Sequence, residues 1–262
     1  MNEYGIDCNV EKPNGYSMIM LYYDRPDQLY NTLSSFRYWY ADRENYEVVI
    51  IEDPYSYARP GWRQALRDVL ALFPEIDVNL LQAEKEGISS MHNQGAREAK
   101  YNFILFNGPE ILHYRNALDR FDDYLQVYEA RYAVGSCWLS TFPGRVEKVY
   151  PPGLEAQGFK FKIWYQHGRV KNRRLHFCSA MSKSIFEQIG GFCTEYDEGV
   201  AYEDDDFVEV VLAYGLKIIS LDSVEVVHQL HAAVNKPHKA NGWSRNKDIF
   251  RRRQKERARA AK

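Results

Sequence analysis

The chain has 262 residues, 45% apolar and 27% charged, with a formal net charge of −2; this excludes a disordered chain and leaves room for one sizeable core. No stretch approaches the roughly 20 apolar residues of a membrane helix, and Met1–Pro13 carries Glu3, Asp7 and Glu11 where a secretory leader would be apolar. The four cysteines (Cys8, Cys137, Cys178, Cys193) lie far apart without metal-ligand spacing, so a reduced, cytoplasmic setting is expected. Charge is unevenly placed. Nine Lys/Arg against two acids put +7 on residues 241–262 and leave −9 on residues 1–240.

Ser17–Tyr23 is a short, fully apolar run of the kind a buried parallel strand requires. Asp24-Arg25-Pro26 breaks it, and Leu29, Leu33 and Phe36 then recur at helical spacing behind a proline suited to a first turn. Glu47–Ile51 reads as a second strand ended by Glu52-Asp53-Pro54, followed by a helix over Gly61–Leu72 and a strand over Asp77–Leu81. Ser89–Lys100 reads as a helix and Asn102–Phe106 as a fourth strand. Strand and helix alternating at this spacing predict βαβ units, a mostly parallel sheet and a site at the carboxyl ends of the strands.

The second half is less regular. Tyr132–Ser140 reads as a strand, Thr141–Arg174 is rich in proline and glycine and reads as loop, and Lys183–Ile189 is a short helix stopped by Gly190-Gly191. Asp204–Tyr214 is a helix closed by Gly215, with strands at Leu216–Ser220 and Val224–Val227. No internal repeat is visible.

Three acidic positions stand where a strand or loop meets a helix: Glu52-Asp53, Glu110, and Glu203-Asp204-Asp205-Asp206. Helix capping accounts for one or two acids at a helix start. Four in succession repel one another, which points to a cation or a catalytic role. His228 and His231, in His-Gln-Leu-His, follow a strand and could serve a divalent metal beside carboxylates. There is no glycine-rich phosphate loop, no Gly-x-Ser-x-Gly elbow and no nucleophilic cysteine constellation.

Taken in order, these segments resemble the inverting nucleotide-sugar glycosyltransferases of GT-A fold, the family 2 group. Ser17–Pro26 with Leu29 and Leu33 is similar to the family's opening strand and helix, and Val48–Ser56 to its second strand ending in paired acids. Glu86–Gly95 resembles the stretch written G-x-x-x-A-R-N-x-G, Asn102–Leu112 holds the place of the strand that leads to D-x-D, and Ile189–Phe192 with Tyr202–Phe207 resembles the acceptor-side G-G-F and E-D motifs. Two departures stand out. Gly108-Pro109-Glu110 occupies the D-x-D position, and His92 replaces the usual arginine before Asn93.

The resemblance implies an α/β GT-A fold, a mostly parallel central sheet with helices on both faces, over residues 1–240. Residues 17–126 would form the nucleotide-sugar half and 127–240 the acceptor half, with 241–262 a basic tail. It implies Asp204 as general base supported by Glu203 or Asp205. Donor contacts would come from Tyr22, Glu52, Asp53, Asn93, Asn107 and Glu110, with Asn107 a stand-in near the altered acidic motif. Glu110 and His228 would hold Mn2+ or Mg2+. The reaction implied is transfer of a sugar from a nucleoside diphosphate sugar, with a leaning to uridine, to the hydroxyl of a glycan or lipid-linked glycan. The alternative is a non-catalytic nucleotide-sugar- or glycan-binding domain. A solvated basic tail is expected, with a grip on nucleic acid as the other reading.

Overall fold

The computed structural model describes residues 2–7, 12–125, 130–141, 144–232 and 242–260. The first half runs β1 (Tyr16–Tyr22), α1 (Pro26–Trp39), β2 (Tyr46–Glu52), α2 (Pro54–Tyr57), α3 (Pro60–Leu70), β3 (Val78–Gln82), α4 (Ile88–Glu98) and β4 (Phe103–Asn107). The second half runs β5 (Ile111–His113), α5 (Ala117–Leu125), β6 (Ala130–Ser140), β7 (Phe161–Gln166), β8 (Cys178–Ser182), α6 (Lys183–Gln188), α7 (Glu203–Ala213), β9 (Lys217–His228) and α8 (Gly242–Ala260). The strands form one sheet in the order β3-β2-β1-β4-β8-β6-β9-β5, with β7 paired antiparallel to the end of β6, off this path. The β3-β2-β1-β4 block is parallel throughout; β8 then joins β4 antiparallel, and β9 runs parallel to β6.

Helices cover both faces because the buried strands are apolar on both sides. Met18, Met20 and Tyr22 of β1 pack with Leu29, Leu33 and Phe36 of α1 and with Leu66 and Val69 of α3. Ile19 turns the other way, into a core with Ala96 of α4, Phe106 of β4, Ile185 of α6, and Phe207 and Val211 of α7. The approach of α4 to β1 needs a glycine. A Cβ on Gly95 would lie 2.5 Å from Ile19 Cγ2. The carboxyl ends of β1, β2 and β4 therefore open into one crevice, as a parallel sheet with reversed strand order dictates.

Three expectations are revised. The stretch read as loop over 141–174 contains β7 and two short 3-10 turns, Pro151–Gly153 and Glu155–Gln157. The two strands expected near the end are one, β9, bulged where its register against β6 jumps from Gly135–Leu221 to Ser136–Glu225. Asp222 in that bulge accepts hydrogen bonds from Ser136 Oγ (2.8 Å) and Gly168 N (2.7 Å), so the irregularity is satisfied. Among the described residues, no helix is long and apolar enough to cross a membrane.

The third revision concerns the basic end. Expected as a solvated tail, it is the 19-residue helix α8, docked on the body through its charges. Asp206 of α7 is 1% exposed and is gripped by Arg253 Nε (3.0 and 3.1 Å) and Arg257 Nη1 (2.7 Å). Arg245 and Arg252 pair with Glu198 and Glu195. Lys247, Arg251, Lys255 and Arg259 make no ion pair among the described residues, so any polyanion would meet fewer charges than the sequence count suggests. Removing one member of a buried ion pair leaves the other charge without compensation. Asp206→Ala should therefore lower unfolding free energy by about 3 kcal/mol, read by urea denaturation. A loss under about 1 kcal/mol would mean that the ion pairs do not hold α8 in place.

Candidate functional site

The crevice holds a cleft of about 570 Å³. Its lining includes Tyr22, at the end of β1, and Asp53, just past β2. The two strand ends are tied by Asp53 N donating to Tyr22 O (3.0 Å), and the Asp53 carboxylate caps α2 by accepting from Tyr55 N (2.8 Å). Tyr22 is fully buried, and that burial pushes its pKa up. Asn107 also reaches the cleft wall. Two expected donor contacts do not line the cleft. Glu52 is buried behind the strand end near Ser56 Oγ (3.5 Å), with burial raising its pKa. Asn93 binds the backbone of Phe192 in both directions, donating to its carbonyl and accepting from its N–H, each at 2.9 Å.

Asn107, expected as a stand-in ligand, supports the altered acidic motif from below. Its amide donates to Gly108 O and Ile111 O at 3.0 Å, and its carbonyl accepts from His113 Nε2 at 2.9 Å. Burial drives the pKa of His113 down to about 3, so the ring is neutral. Ala117 N donates to Tyr40 Oη (3.2 Å), and the Tyr40 hydroxyl lies 2.5 Å from His113 Nδ1, to which it donates; this leaves the proton on Nε2 for Asn107. That buried chain fixes the turn that presents Glu110. The glycine of Gly108-Pro109-Glu110 has a steric reason. A Cβ there would lie 3.0 Å from the Glu110 carboxyl, so the longer acid folds back over the space that an aspartate would fill.

Glu110 is the centre of a charged cluster. Its Oε2 lies 2.5 Å from Arg25 Nη1 and its Oε1 lies 3.9 Å from His228 Nε2. His231 joins them, and ligand atoms of Glu110, His228 and His231 fall within 4.8 Å of one another. Burial opposes ionisation of Glu110, but Arg25 and His228 outweigh it and hold the carboxyl below its usual pKa. His228 Nδ1 donates to Gln229 O (3.1 Å) and His231 Nδ1 to Ala232 O (2.8 Å), which leaves both Nε2 atoms as lone-pair donors. Two imidazole nitrogens and one carboxylate oxygen suit a divalent cation that takes its remaining ligands from a bound anion. The cluster is held by Gln229, whose N–H and side-chain amide both donate to Glu110 O (3.0 and 3.2 Å). Arg25 is delivered by the turn after β1, where Asp24 takes the left-handed φ of 40°. Arg25 and Tyr23 also border a second hollow of about 420 Å³ lined by Asp24, Arg59 and Trp62.

Across the cleft stand Glu203 and Asp204, in the first turn of α7. Asp204 forms an ion pair with His176 Nδ1. Burial alone would lower the pKa of His176, but Asp204 and Glu203 reverse the sign and hold it above its ordinary value. His92 stacks edge-on to His176 at 5.0 Å, and burial plus that neighbour's charge push it well below its ordinary pKa. Burial and the charge of Asp204 raise Glu203 to about 7. Asp205 points outward, exposed and outside the cleft. Asp206 is occupied with α8. Thus Asp204 and Glu203 meet at the cleft, while Asp205 does not join them.

Arg25 and His176 were not singled out by any motif. His176 lies just past the stretch read as loop, Thr141–Arg174, and nothing local marks it. His231 was visible only through its spacing from His228.

The sequence profile described as Glycosyl transferase family 2 matches residues 17–190. No curated protein sequence matches the chain significantly. Among solved structures, the fold is similar to the mannosyltransferase PcManGT from Pyrobaculum calidifontis in complex with GDP-Man and Mn2+. The TM-score is 0.60 at 16% identity, over 92% of this chain and 65% of that one. It is also similar to residues 1–349 of S. aureus TarS in complex with UDP, with a TM-score of 0.59 at 14% identity over 82% of this chain and 60% of that one. The chain thus spans less than two thirds of either structure. The match takes in nearly all of the β1–β4 block and covers more than half of the chain, so the chain belongs to glycosyl transferase family 2.

Proposed function

We propose that this chain transfers a sugar from a nucleoside diphosphate sugar to an acceptor hydroxyl with inversion at the anomeric carbon. The observation that carries this reading is one cleft with a cation-suited cluster on one wall and a carboxylate base on the other. Tyr22 and Asp53 bind the nucleoside end, and uridine is our reading of the base. The TarS and PcManGT structures hold UDP and GDP-Man respectively, in line with a nucleotide-sugar donor. Arg25 sets a fixed positive charge beside Glu110, facing the diphosphate. Glu110, His228 and His231 would hold Mn2+ or Mg2+, which neutralises charge on the leaving diphosphate when bound.

Asp204 takes the proton of the attacking hydroxyl. His176 holds that carboxylate in place through the ion pair, and Glu203 supports it from the same helical turn. Glycan, lipid-linked glycan and nucleic acid all offer such a hydroxyl, and of these we favour a glycan. A binding domain that merely retains donor would release no nucleoside diphosphate. Donor-dependent release of UDP or GDP, followed over a panel of nucleotide sugars, therefore decides between the two readings.

Removal of a general base usually costs on the order of 10² to 10⁴ in kcat. Asp204→Asn should show that loss while the thermal shift given by UDP stays the same; full turnover by the variant would refute the assignment. Metal binding should depend on donor, because the protein offers one carboxylate oxygen and two imidazoles. Calorimetry should show weak Mn2+ binding to the free protein and about tenfold or tighter binding with UDP present. Tight binding without nucleotide would contradict this.

Glu203 also carries a pH signature. Its proton is held more tightly folded than unfolded, so its stabilisation is complete below the usual carboxylate value of 4.5 and is lost as pH rises through about 7. His176, also raised, adds the same sign. Glu203→Gln should therefore raise the Tm relative to the parent at pH 8 and leave it nearly level at pH 4, measured by calorimetric scans. A variant less stable at pH 8 would reverse the sign and sink the account.

A further inference from the structure

We infer that α8 is a positioning element for the reaction, because it holds the strained turn that sets the base; this rests on Asp204 as the proton acceptor. Ala201 (φ 64°) and Tyr202 (φ 73°) are consecutive non-glycine residues in the left-handed region. Such a pair persists only where its surroundings over-determine it. The turn leads straight into Glu203 and Asp204, and its first residues, Gly199 and Val200, line the same cleft. No side chain caps the start of α7, so local sequence does not fix where that helix begins.

What fixes it comes from α8. Asn246, fully buried, donates from Nδ2 to Ala201 O (2.8 Å) and Tyr196 O (3.1 Å). The Tyr202 ring packs on Trp243 and Phe250, with centroids at 5.6 and 5.4 Å. The backbones meet closely: a Cβ on Gly242 would lie 2.9 Å from Gly199 Cα, and one on Gly199 would overlap the Asn246 amide. Farther along the same helix, Arg253 and Arg257 hold Asp206. One rigid element thus grips the turn before the base and the residue two positions after it. Asn246 and Trp243 act through Asp204 and are positioning residues.

The test compares Asn246→Ala and Trp243→Ala with the parent. Trp243 is 51% exposed, so its removal leaves the fold intact even if loss of the buried asparagine does not. In hydrogen exchange, amides of residues 199–205 should exchange about tenfold faster in Trp243→Ala while β1, β2 and β4 are unchanged. With UDP-GlcNAc or GDP-mannose as donor, kcat of both variants should fall about tenfold, with the donor KM within about twofold. Arg251→Ala, on the exposed face of α8, should match the parent in both assays.

Unchanged exchange at 199–205 overturns the inference whatever the reaction. Faster exchange with unchanged kcat in an active protein also overturns it, since the turn would then be held without mattering to the base. If the parent releases no nucleoside diphosphate from any donor, the transferase reading fails by itself, and the exchange data still decide whether α8 holds the turn.

Discussion

The first turn of α7 carries four successive carboxyl groups, and their mutual repulsion has to be met differently for each. Asp206 faces inward and is neutralised by Arg253 and Arg257. Asp204 faces the cleft and is neutralised by His176. Glu203 forms no ion pair of its own among the described residues, shares the charge of His176 with Asp204, and answers by binding its proton until about pH 7. Asp205 is left to solvent. The helix dipole favours all four but is too small to offset the burial of Asp206 and the partial burial of Glu203 and Asp204. A single turn therefore contains an anchor, the proposed base, a proton-holding neighbour and a solvated charge. The distinction among them is made entirely by partners from other parts of the chain.

That explains how much of the molecule could be read from the chain alone. The β1–β4 block was legible because its signals are local: apolar runs, helix-period leucines, and breaks at proline and acid. The rule that sites form at strand carboxyl ends located Tyr22, Asp53 and Glu110 on the cleft wall. What escaped depends on contacts distant in sequence. Asp204 is paired with His176, which belongs to no regular element. The tail looked solvated because its charge is dense, yet its acidic partners Asp206, Glu195 and Glu198 lie some 50 residues away. Asn93 and Asn107 looked like ligands because an amide can serve either a ligand or a backbone. In both cases the backbone takes it.

The altered acidic motif is consistent with its surroundings. Gly108 leaves room for the longer Glu110 side chain, and the Asn107–His113–Tyr40 chain supports the turn with a neutral histidine instead of a second charge. A site with two carboxylates would hold a cation by charge. This one has a single carboxylate, already shared with Arg25, so under the proposed function a cation there would depend on the charge that a bound diphosphate brings.

The two walls of the cleft thereby follow the same logic with opposite sign. On one side an anion, Glu110, is held ionised in a buried setting by Arg25 and a histidine. On the other, Asp204 is held by His176, with Glu203 protonating to relieve the crowding. Neither wall carries a large net charge at rest, so little electrostatic work is stored in the free protein. A doubly charged leaving group on one wall and a released proton on the other would each enter a site whose counter-charge is already oriented, and fixed polar groups of that kind need no rearrangement as charge develops. The chemistry therefore depends on how rigidly each wall is held. Gln229 performs that role for Glu110, through two hydrogen bonds to its carbonyl.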